Sequence, residues 1–194
     1  MPKKPSYNEA VYFTAQTAER REQVRKRLDK IAKKLEDKKA IADTLATDDE
    51  MLVERIHALG FDGDSARVFD LLPLIHVSWA DGRVQRKERA TILAALEARG
   101  IQPGSEASVL IETLLEAPPS EAFMKVSLEL LRDLAKAKGD NSVNVVELCV
   151  KVADASGGLL GVGNRIATEE RELIQSIADT LGPEAQDQFK KLLG

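Results

Sequence analysis

The sequence predicts an all-α fold, and three observations lead there. Aromatic residues make up only 4% of the chain, so its 43% apolar content rests on Leu, Ile, Val and Ala, with few β-branched runs. No stretch sustains the strict alternation of apolar and polar residues that a half-buried strand needs; apolar residues recur instead every three or four positions. One helical unit also occurs twice. Val84 and Ile166, Glu88 and Glu170, Arg89 and Arg171, and Gly100 and Gly182 are each 82 residues apart. Ala80-Asp81 matches Ala153-Asp154 at an offset of 73, so the second copy carries nine extra residues in its loop. That insertion is the Gly-rich run Ser156-Gly157-Gly158-Leu159-Leu160-Gly161-Val162-Gly163-Asn164.

Taken in order, the chain opens with a short Pro/Lys tail and then a helical pattern over 7–47, the amphipathic extension of a two-part organisation (1–47 and 48–194). Val24, Leu28, Ile31, Leu35, Ala42 and Leu45 follow spacings of four and three, with Lys38 in the missing slot. This heptad-like stripe is shorter than the three to four heptads that argue a coiled coil. Thr47 with Glu50 reads as a capping box for a helix that ends at Leu59 before Gly60. Asp64 is the expected cap of the next helix, whose face holds Val68, Leu71, Leu72, Ile75 and Trp79, with a break or kink at Pro73. Further helices are expected from Gln85 to Arg99, Ser105 to Glu116 and Glu121 to Lys138, each bounded by Gly or Pro. Asn141 or Ser142 caps a helix leading to Asp154; Ala167 or Thr168 opens one ending at Leu181; Glu184 to Leu193 forms the last.

Charge divides the chain unevenly. Residues 1–40 hold 12 Lys/Arg against 6 Asp/Glu, a net of +6, and the remainder holds 16 against 26, a net of −10, giving −4 in all. A basic arm joined to an acidic body points to docking. The arm's candidate contact residues are Arg20, Arg21, Arg25, Lys26, Lys30, Lys33 and Lys34, read as a polar face opposite the stripe. The stripe is expected to pack on the body or on a second copy in a homo-oligomer; an anionic membrane surface is the alternative for a basic amphipathic helix. Nucleic acid is disfavoured, because the arm has no DNA-binding motif and the body is acidic. A single cysteine, Cys149, rules out an internal disulfide and a multi-thiolate zinc site. With neither an apolar leader nor a spanning segment, the expected location is cytoplasmic, or peripheral at the inner face of a membrane.

Each copy of the repeat places an Asp near the end of one helix and a Glu in the first turn of the next. Hard divalent cations take oxygen ligands of that kind. Asp81, Glu88, Asp154 and Glu170 are therefore the candidate metal ligands, with the metal's identity open. The alternative is cap chemistry: Glu88 and Glu170 lie where a side chain reaches back to a free backbone N–H, although Gln85 and Ala167 make poor caps themselves. A calcium helix-loop-helix loop is excluded, since Val77 and Trp79 fall where it requires carboxylates. The Gly-rich run lacks the Lys-Ser/Thr pair of a P-loop and follows a helix, so it reads as a connector. His76 is expected to be buried and hydrogen-bonded, His57 to be a surface residue, and Cys149 to pack as a small apolar side chain. With two separated His and one Cys, no acid–base or nucleophile arrangement emerges, so the chain reads as non-enzymatic.

Trp79-Ala80-Asp81-Gly82-Arg83-Val84 with Glu88-Arg89, and Ala155-Ser156-Gly157-Gly158-Leu159-Leu160-Gly161 with Glu169-Glu170, resemble the tellurite-resistance TerB family and the wider TerB-like domains. The resemblance covers about residues 65–183. It implies a helical bundle with two pseudo-repeated hairpins and acidic loop residues proposed to bind divalent metal. It further implies protein docking in a membrane-linked stress response rather than catalysis. Ala155-Ser156 after Asp154, where the simplest family pattern has Gly, sets the second loop apart. The helical extension before residue 48 lies outside the resemblance.

Overall fold

The computed structural model describes residues 7–138, 142–156 and 166–194, with side chains over 16–137, 145–155 and 166–194. The described residues form α1 (Tyr7–Leu45), α2 (Glu50–Ala58), a 3₁₀ helix (Ser65–Leu71), α3 (Leu72–Ser78), α4 (Arg86–Ala98) and α5 (Glu106–Glu116). Then come α6 (Glu121–Lys138), α7 (Ser142–Ser156), α8 (Thr168–Leu181) and α9 (Pro183–Leu193). Among the described residues there is no strand, as the periodicity requires. The Gly-rich run from residue 157 and the expected cap Asn141 lie outside the described residues.

The body is built around α3 and α7, the first helices of the two repeat copies. Helix α3 packs on α6, α7 and α8; α7 packs on α3, α4, α8 and α9. Their inward residues Leu74, Ile75, Val146, Cys149 and Val152 are completely buried, and Ile92, Ile111, Leu130 and Ile174 close over them from α4, α5, α6 and α8. Pro73 is the second residue of α3, where a missing N–H costs nothing, so the expected break is a junction between the 3₁₀ segment and α3. Trp79, just after α3, donates its indole N–H to the carbonyl of Leu114 at 2.9 Å and ties the first repeat to α5.

One expected cap falls on another residue, and a second, Asp64, holds the N-cap position of the 3₁₀ segment without a side-chain cap bond. Asp49, not Thr47, caps α2, accepting from the N–H groups of Met51 and Leu52 at 3.0 Å each. Thr47 accepts from the N–H of Asp49, one step upstream of the expected box. Before the 3₁₀ segment, Asp62 rather than Asp64 accepts from the Ser65 N–H, at 2.8 Å. Asp64 reaches across to accept the Ala107 N–H in the first turn of α5, at 3.1 Å. Sequence spacing favoured the nearest helix start, and the tertiary arrangement supplied a closer donor 43 residues away. His57 is half-buried rather than a surface residue, its Nε2 4.0 Å from Asp37 of α1.

Helix α1 divides in two. Ile41 and Leu45 are buried against the body, whereas Val24, Leu28, Ile31 and Leu35 are 46–61% exposed. The expected packing of the whole stripe on the body is therefore confined to its last turns. Those turns fit because residue 63 is glycine: a Cβ there would lie 2.4 Å from the Cβ of Ala40. Thr44 Oγ1 then donates to the Gly63 carbonyl at 2.9 Å.

This division makes a stability prediction. Ile92→Ala empties a fully buried position and is expected to cost about 2–5 kcal/mol. Leu28→Ala, on the exposed part of α1, is expected to stay within about 0.5 kcal/mol. Urea unfolding of both variants checks it, and comparable losses would contradict the exposure of the stripe.

Candidate functional site

The first turns of α4 and α8 contribute one buried glutamate from each repeat copy. Each of these helices starts with a residue that offers no side-chain cap: Gln85 makes no such bond and Ala167 has no polar side chain. The Glu three positions on supplies the missing half. Glu88 Oε2 accepts the Gln85 N–H at 2.6 Å, and Glu170 Oε2 accepts the Ala167 N–H at 2.8 Å. Both are half capping boxes.

Cap chemistry alone does not explain their burial. Glu88 is 1% exposed and Glu170 is 3% exposed, among the few charged-type side chains inside the body. The Glu88 carboxyl lies within hydrogen-bonding reach of that of Glu170. Two carboxyls can hydrogen-bond only if one holds a proton, because two carboxylates are both acceptors. Burial first of all pushes the Glu88 carboxyl from 4.5 up to about 7, against the pull of the Gln85 N–H. The negative charges of Glu170 and Asp81 push the same way, as does the hydrogen bond with Glu170.

The other two candidate ligands are placed differently. Asp81 is exposed on the turn after α3; its Oδ1 accepts the Arg83 N–H at 3.1 Å, and its charge reaches Glu88. Asp154 is exposed at the end of α7 and lines a hollow of about 330 Å³ with Lys151, Thr168 and Arg171. The structure thus brings Glu88 to Glu170, puts the charge of Asp81 within reach of Glu88, and places Asp154 on the wall of a separate hollow. Among the described residues, no three Asp, Glu, His or Cys side chains form a metal-binding group.

The Arg after each Glu also has a tertiary role that sequence reading missed. Arg89 lies 3.9 Å from Glu116 at the end of α5. Arg171 donates to the Leu193 carbonyl at the end of α9 and stacks 6.0 Å from the Phe189 ring centre. The repeat therefore extends beyond two hairpins to a third helix in each copy, and the shared spacing to Gly100 and Gly182 was its only trace in the sequence.

The sequence that builds these two helical hairpins is matched by a family model. The model described as tellurite resistance protein TerB matches residues 71–191, more than half of the chain. The chain belongs to the TerB family. Comparison with curated proteins and with solved structures gives no match. The TerB match takes in both repeat copies and most of α9 but stops short of α1 and α2. No described helix of this TerB protein is long and apolar enough to cross a membrane.

The histidine and cysteine of the TerB region are separated by their surroundings. Cys149 is completely buried, and burial pushes its thiol well above the usual range, so it packs as an apolar side chain. His76 departs from expectation: it is half-buried, and its Nδ1 lies in the interior without a hydrogen-bond partner among the described residues. Burial lowers its pKa, with Glu121 pulling the other way.

A raised Glu88 pKa fixes the sign of one pH dependence. Between 4.5 and about 7 the folded state holds a proton that the unfolded chain has released. Stability from this group is thus complete below 4.5 and is lost as pH rises through about 7. In chelator, Glu88→Gln, which mimics the protonated form, is expected to flatten that slope. At pH 8 it should match or exceed wild type by about 1 kcal/mol, a figure reduced for screening by nearby water. Urea unfolding across pH measures it, and a wild-type slope retained in the variant would refute the assignment.

Proposed function

We propose that this chain is a non-enzymatic TerB module that takes a divalent cation weakly at the Glu88–Glu170 junction and docks on protein partners in a stress response of the tellurite-resistance kind. The observation that carries the cation reading is the buried carboxyl pair. Two carboxylates side by side need a proton or a cation between them, and Glu88 is poised to lose its proton near neutral pH. Glu88 and Glu170 would hold the cation, with Asp81 adding negative charge at the rim. Bound there, a cation supplies charge neutralisation and a bridge between the two repeat copies. Two carboxylates are few beside the six to eight oxygens that calcium takes, so water fills the remaining positions and affinity is low. Asp154, on the wall of a separate hollow, contributes little to this reading.

A second reading is favoured by the half capping boxes: the pair is a proton-sharing clamp with no cation role, and the module is purely structural. Cation titrations separate the two. Calcium, magnesium and manganese, each added to chelator-stripped protein, are expected to raise Tm. Affinity should fall about tenfold per pH unit below pH 7 as protons compete. Glu88→Gln/Glu170→Gln should abolish the shift, and Asp81→Asn should weaken it. Wild-type Tm indifferent to all three cations would leave the clamp reading.

A further inference from the structure

Helix α1 carries an unpartnered seam whose flanks have one sign of charge. At 100° per residue, Val24, Leu28, Ile31 and Leu35 fall within a narrow stripe. Arg20, Arg21, Arg25, Arg27, Lys34 and Lys39 flank it on both sides, so several of these basic residues border the stripe rather than oppose it. The acids Glu22, Asp29, Glu36 and Asp37 lie on the far side with Lys26, Lys30 and Lys33. Glu22 pairs with Lys26 there, at 3.7 Å. Among the described residues, Arg21, Arg25 and Arg27 make no ion pair, and their side chains are exposed.

The protein itself shows what this seam accepts. Helix α2 packs on the last turns of α1 with Leu52, Val53 and Ile56 buried. From its edge Glu54 reaches Lys34 at 3.3 Å and also pairs with Lys38. An apolar face bordered by an acid is therefore the local solution. Beyond α2 the seam continues with no cover. It opens into a groove of about 880 Å³ between α1 and α2, where Leu35, Val53 and the 75% exposed Met51 share the lining with Lys39 and the acids Asp48 and Glu50.

We infer that the free part of α1 is a docking seam for an acidic amphipathic helix of a partner protein. That helix would lie along Val24–Leu35 with its Asp/Glu flanks against the arginines and its end in the Met51 groove. A second copy of α1 does not fit, because parallel or antiparallel pairing brings basic flank against basic flank. A membrane surface fits less well: the stripe from Val24 to Leu35 is narrow, and acids share the opposite face, whereas interfacial helices use a broad apolar face. The inference rests on the docking half of the proposed function and is independent of the cation.

The full chain can be titrated with two labelled three-heptad synthetic helices that share a Leu/Ile seam, one with Glu flanks and one with Lys flanks. Only the Glu-flanked helix is expected to bind, and more weakly at high salt. Leu28→Asp/Ile31→Asp should lower its affinity at least about tenfold without changing Tm. Arg25→Glu/Arg27→Glu/Lys34→Glu should transfer the preference to the Lys-flanked helix. The inference is overturned by any of three results: equal or no binding of the two helices, α1-dependent self-association in sedimentation, or co-sedimentation with phosphatidylserine vesicles that the Glu-flanked helix fails to displace. Loss of the cation response in Glu88→Gln/Glu170→Gln would leave these outcomes unchanged, so the two readings fail separately.

Discussion

Two carboxyl groups buried side by side cannot both be ionised without a large cost, and the body of this TerB protein is arranged around such a pair. Glu88 and Glu170 open the second helices of the two repeat copies, where each satisfies a backbone N–H that its own cap residue leaves unmet. Packing the copies together brings the two side chains within reach of each other away from water. A proton or a cation must then accompany them. One local device, repeated by duplication, thus becomes a shared electrostatic centre once the copies interlock.

The same interlocking sets the junction within the packed body. Helices α3 and α7 pack on each other and each also contacts the second helix of the other copy. Trp79, Arg89 and Arg171 extend each copy to a third helix through a carbonyl or a terminal carboxylate. Changes at the acidic turns therefore act against a closely packed core rather than a hinge. Helix α1 is the counterpart: only its last turns belong to that core, and its stripe from Val24 to Leu35 stays exposed.

Individual residues show how far sequence reading reached. The boundaries of α6 follow from local punctuation and agree with the structure. So does the half box at Glu88 and Glu170, since capping reaches only three residues along the chain. The side chains of Asp64 and His57 were misread because their partners, Ala107 and Asp37, lie on other helices. The four acids looked equivalent by alignment, yet Glu88 and Glu170 are buried while Asp81 and Asp154 are exposed. A repeat aligns residues without showing which of them face each other.

By itself, the sequence determined the helical class, the duplication, the TerB resemblance and the separation of a basic arm from an acidic body. Each of these is written in spacing, composition or short-range caps, which act over a few residues. Tertiary structure alone decided that Glu88 meets Glu170 and that the apolar stripe of α1 is half core and half surface. Those outcomes depend on which faces of distant helices come into contact. Burial then sets the energetics, converting an ordinary first-turn glutamate into a group that titrates near neutrality and a helical seam into an exposed one.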